Sequence, residues 1–137
     1  MWWIYALLSA VFAALTAIFA KVGIKNVDTN LATAIRTTIV LVLAWGIAFF
    51  SKKEISLQSL TKQNWLFLVL SGMATGLSWI FYFKALQAGK VSQVAPVDKL
   101  SVALTIILAF VFLGEPLTAK TAVGALLIIG GTVVLIV

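Results

Sequence analysis

The sequence predicts an all-α integral membrane protein with five transmembrane helices. Three observations carry this. Hydrophobic residues make up 63% of the 137, and charged residues only 10%, whereas soluble domains average about half and a quarter. The mean hydropathy is +1.16. The apolar residues also fall into five runs, each near the roughly 20 residues that a helix needs to cross a bilayer. A soluble domain of this size exposes too much surface to hide so many apolar side chains. Lipid must therefore be their solvent.

The spans are expected at about residues 2–20, 31–50, 64–87, 92–113 and 118–137, as one transmembrane domain over 1–137. The first run ends on Lys21. Met1–Trp2–Trp3 offers no basic segment, and the run is too long for a signal-peptide core, so no signal peptide is expected. Asp28–Thr29–Asn30 is a candidate N-cap cluster for the second helix. The polar loop 51–63 carries Lys52, Lys53, Glu54 and Lys62. Trp65 then opens the third helix as an interfacial anchor. Ala88–Gly89–Lys90 makes a tight turn, and the fourth helix starts between Val91 and Pro96. Gly114–Glu115–Pro116 makes the next turn, and the fifth helix follows.

Composition also excludes functions. With no Cys and no His, thiol catalysis, disulfides and Cys/His zinc sites are ruled out. The net charge of +6 comes from Lys residues flanking apolar spans, where they meet anionic headgroups and snorkel. Nucleic-acid binding would need a basic folded exterior, and no partner of that kind is expected. Of the four acidic residues, Asp28, Glu54 and Glu115 lie in loops and turns, and Asp98 has no carboxylate partner. Neither a two-carboxylate site nor a metal cage is evident, so no enzyme activity, metal or cofactor is expected.

Five spans put the chain ends on opposite sides. Lys52, Lys53, Lys62 and Lys120 then face Lys21, Lys25, Lys84 and Lys90, with Arg36 added to the second group. The positive-inside rule finds almost no bias. Either helix one decides the orientation or the chain inserts both ways. Small residues (Gly72 and Gly76 in helix three, Ser9, Ala13 and Ala17 in helix one, Gly124, Gly130 and Gly131 in helix five) suit close helix contacts, within one chain or between two.

Charges within a span cost roughly 2.5–3.5 kcal/mol each at its centre, so each needs a reason. Arg36, Lys84, Asp98 and Lys99 all belong to one end of the spans and are expected to cluster between helices two, three and four. Neighbours on a helix point about 100° apart, so Asp98 is expected to pair with Arg36 or Lys84 rather than Lys99. Asp98, Ser101 and Thr105 share one helical face, as do Ser71, Thr75, Ser78 and Tyr82, with Trp79 beside them. These faces point to a polar lumen. The bland alternative is that membrane Ser and Thr hydroxyls bond their own helix carbonyls, that Lys84 and Lys99 snorkel, and that Trp79 and Tyr82 simply pack. The candidate translocation residues are Arg36, Trp79, Tyr82, Lys84, Asp98, Lys99 and Ser101. Their cations outnumber Asp98, which favours a solute bearing a carboxylate or phosphate.

Several stretches carry a family resemblance: Trp79 to Leu86 at the end of helix three, Leu113–Gly114–Glu115–Pro116–Leu117, and Gly124 through Gly131. With Ala34–Ile35–Arg36–Thr37 and Ala95 to Ser101, they make the chain resemble the EamA domain of the drug/metabolite transporter superfamily, in its short five-helix bacterial and archaeal branch. Typical members have ten helices in two oppositely oriented halves. The resemblance implies one half of that inverted-repeat fold and an antiparallel homodimer in the cytoplasmic membrane. It also implies secondary transport by alternating access, with export of a small metabolite or drug-like solute. Many members carry a Pro in mid-helix four where this chain has Ser101–Val102, so a kink at that point is not carried over. The alternative from another class is a non-transporting subunit of a heteromeric complex, or a component of a flippase for lipid-linked substrates.

Overall fold

A computed structural model describes residues 1–51 and 57–137. The loop charges Lys52, Lys53 and Glu54 lie outside the described residues. The helices are α1 (Trp2–Gly23), α2 (Thr29–Phe50), α3 (Lys62–Ala88), α4 (Val91–Asp98), α5 (Leu100–Leu113) and α6 (Ala119–Ile136), with a short 3-10 turn at Leu57–Ser59. Among the described residues there is no strand, and five helical segments are long and apolar enough to cross a bilayer. One of these is the joined α4–α5 segment, Val91–Leu113.

Local chemistry sets the helix ends. Asp28 caps α2, its Oδ1 accepting from the Asn30 and Leu31 N–H groups at 3.0 Å each. This satisfies two donors that a helix start leaves without partners, and it puts a carboxylate at the positive end of the helix dipole. Thr118 caps α6 in the same way, accepting from the Thr121 N–H at 3.2 Å. Gly114 ends α5 in the left-handed conformation, φ 66°, where a residue without Cβ is favoured. Its N–H and that of Glu115 both reach the Ala109 carbonyl. Pro116 follows, and it cannot continue a helix.

The chain divides into two compact units, residues 1–18 with 88–137, and residues 19–87. In the second, the end of α1, the loop to α2 and the end of α3 are tied together. Gln87 Nε2 donates to the Ile24 carbonyl at 3.1 Å and the Val27 carbonyl at 2.6 Å. Lys21 Nζ donates to the Leu86 carbonyl, one of the acceptors that the last turn of α3 cannot satisfy itself. Ile24, Phe83 and Leu86 are buried there. Asn26 takes a left-handed conformation, φ 61°, which Asn tolerates better than most residues.

In the first unit, α4, α5 and α6 pack on one another. Pro96 lies inside α4 and has no N–H to offer the Ser92 carbonyl. The helix breaks two residues after Asp98's predecessor Val97, at Lys99. Its N–H is shared between the Ala95 and Pro96 carbonyls at 3.3 and 3.1 Å, and its own carbonyl accepts from Val102 at 3.0 Å. Such i→i+3 bonding tightens the chain into a 3-10 step. Buried Thr132 of α6 lies against this break, its Oγ1 2.8 Å from the Ile128 carbonyl of its own helix and 3.2 Å from that of Pro96.

Elsewhere the large apolar side chains face outward. Phe12, Phe19, Phe67 and Phe112 are all exposed. In water such a surface would be untenable at about 25 cal/mol per Å². In a bilayer it is the ordinary outside of a protein.

Candidate functional site

The arrangement most open to function is in the second unit. Trp79 and Phe83 are four residues apart on α3 and so share a face. Arg36 reaches them from α2, its guanidinium carbon 4.1 Å from the Trp79 ring centroid and 5.2 Å from that of Phe83. The Tyr82 ring adjoins Phe83, with centroids 6.5 Å apart. Arg36, Trp79 and Tyr82 are half-buried and Phe83 is buried.

Depth gives this stack its meaning. Arg36 is about 12 Å along α2 from the Asp28 cap, and Trp79 about 13 Å before the end of α3, at 1.5 Å per residue. The spanning segment of α2 is Thr29–Phe50, so the cation lies within the span, about a third of the way along it. A cation over aromatic faces recovers about 0.5–2 kcal/mol, part of its insertion cost. The rings attract the guanidinium charge, and its N–H donors form the planar fork that matches a carboxylate or phosphate.

The other candidates fall differently. Lys84 is exposed, one turn before the end of α3, and takes no part in the stack. Asp98 has a partner within its own unit. It pairs with Lys99 at 3.2 Å. The expectation assumed a continuous helix, in which adjacent side chains diverge. The break at Lys99 ends that geometry, and the long Lys side chain folds back on its neighbour. The side chains are 57% and 35% exposed, and both residues lie within the Val91–Leu113 span. Ser101 is exposed, and its carbonyl accepts from Thr105 Oγ1 at 2.7 Å.

The hydroxyl stripes have a local explanation. Thr33, Thr37 and Thr75 donate to the carbonyls of Thr29, Thr33 and Ser71 at 2.7, 2.7 and 2.9 Å. Each proton is committed to its own helix, and the oxygens keep acceptor capacity. Sequence reasoning missed Phe83 as a second ring on Arg36. Its i, i+4 spacing from Trp79 was the available signal. The ties made by Lys21 and Gln87 were also missed, because nothing local in the sequence reveals contacts some sixty residues apart.

A cation inside one of five helical segments that are long and apolar enough to cross a bilayer, among the described residues, defines the class: a multi-pass membrane protein. The EamA-like transporter family model matches residues 1–137, and the chain belongs to that family. It is thus a membrane transporter in the general sense of that family. It is 43% identical over 136 residues to an uncharacterized transporter from the cobO 3′ region of a Sinorhizobium species, covering 99% of this chain and 96% of that protein. It is 30% identical over 124 residues to the uncharacterized transporter YvbV of Bacillus subtilis, covering 90% of this chain but 41% of that protein. An uncharacterized protein of Methanocaldococcus jannaschii is 30% identical over 138 residues, covering 96% of this chain and 93% of the relative. No solved structure matches the chain.

Proposed function

We propose that the chain is one half of an inverted secondary transporter. It works as an antiparallel homodimer by alternating access in the cytoplasmic membrane and exports a small solute that bears a carboxylate or phosphate. The observation that carries this is the Arg36 stack on Trp79 and Phe83. It is a costly cation held against two rings, and its planar donor fork suits an anion. Arg36 binds the anionic group, Trp79 and Tyr82 contact the apolar part of the solute, and Lys84 adds positive potential. The Asp98–Lys99 pair, next to the break between α4 and α5, serves coupling by opening and closing, with Ser101 alongside. The match to only 41% of YvbV, against 96% of the Sinorhizobium protein, supports the half-transporter reading, as does the balance of Lys across the spans.

Topology tests the dimer directly. The natural chain has no Cys, so a single cysteine at Val137 can be labelled from either side of intact cells. Labelling from both sides is expected. Labelling from one side alone would overturn the antiparallel homodimer.

A further inference from the structure

A second feature lies at the interfacial end of the residue 19–87 unit, apart from the Arg36 stack. Lys21, Ile24, Lys25, Asn26, Leu86 and Gln87 line an open hollow of about 520 Å³. We propose that it binds the phosphate group of an anionic phospholipid.

The lining is cationic, with two ammonium groups and no carboxylate. The nearest acid in sequence, Asp28, is engaged in capping α2. Helix C-termini present carbonyls that repel anions, and both α1 and α3 end here. Some of the carbonyls here are engaged. Lys21 serves the Leu86 carbonyl, and the Gln87 amide serves Ile24 and Val27. Gln87 and Lys21 therefore position the loop, Lys21 adding its charge to the hollow, while the Lys25 ammonium group and the Asn26 amide face the anion.

Ile24 and Leu86, 3% and 0% exposed, give the hollow an apolar floor. It is far larger than a bare phosphate needs and is of the size of small-ligand sites. Lys21 is two residues from the end of α1, the level at which a spanning protein meets headgroups. Charge, room, floor and depth together fit a phosphoglycerol headgroup better than a free phosphate ion.

The test is native mass spectrometry of the detergent-purified protein titrated with phosphatidylglycerol, phosphatidylcholine or inorganic phosphate. Phosphatidylglycerol should bind in preference to phosphatidylcholine. Lys25→Gln should weaken it about fivefold, the factor one interfacial lysine is worth, and Lys25→Arg should restore it. Lys120→Gln, which removes an exposed lysine outside the hollow, should leave it unchanged. Lys25 holds no structural carbonyl, so its loss tests the site without loosening the loop as Lys21→Gln would. Equal loss in the Lys120 and Lys25 variants, or none in either, would overturn the site. Displacement of phosphatidylglycerol by equimolar inorganic phosphate would overturn the lipid assignment.

Discussion

Replacing Arg36 by Gln should cut transport sharply without harming the fold. Losing the stack on Trp79 and Phe83 costs about 1–2 kcal/mol for a partly desolvated cation. Removing a charge inside the span returns only part of the roughly 2.5–3.5 kcal/mol insertion cost, because the Gln amide is itself costly in hydrocarbon. The two effects nearly cancel, so the variant's unfolding temperature in detergent should stay close to the wild type's. Transport should move the other way. A charge-assisted hydrogen bond to a bound anion is worth about 1.5–3 kcal/mol, so kcat/KM should fall by about ten- to a hundredfold. Arg36→Lys keeps the charge but loses the planar fork, and should fall about tenfold. The assay is uptake of radiolabelled carboxylates and phosphate esters into proteoliposomes, beside a thermal melt of the same preparation. Wild-type flux in Arg36→Gln would refute the site. An Arg36→Gln protein that inserts poorly or melts early would refute the energetics, since the stack would then be structural.

Two further predictions test the fold, both read by thermal unfolding in detergent. Asp28→Ala removes both bonds to the first turn of α2 and should cost about 1 kcal/mol, with Asp28→Asn recovering most of it. Gly114→Ala should cost about 1–2 kcal/mol from the left-handed backbone alone, because a Cβ there meets no described atom within 4 Å.

The parts of the fold that were legible are those that local chemistry decides. Run length and polarity mark the spans because a bilayer imposes one length on them all. Asp28 and Gly114–Glu115–Pro116 announce helix ends because their side chains and backbone act within a turn. The break at Lys99 was less legible. Pro96 removes one donor, but a proline near a helix start reads equally as its first turn. The Asp98–Lys99 pairing was hidden for the same reason, since it depends on the break.

The rings beside Arg36 show what such reading overlooked. A buried cation invites a search for a carboxylate, and Asp98 was the one acid outside the loops and turns. Yet an acid drawn into the bilayer to meet Arg36 would add its own insertion cost and then compete with any anionic solute for the same donors. Aromatic rings avoid both penalties. They are soluble in lipid, they attract the guanidinium charge, and they bring no carboxylate to compete for its N–H donors. Trp79 and Phe83, one turn apart on α3, meet that need. For a site meant to take an anion, an aromatic partner for the cation is therefore the more economical expectation. The same logic gives the Asp98–Lys99 pair, half in contact with the surroundings, a role separate from holding the solute.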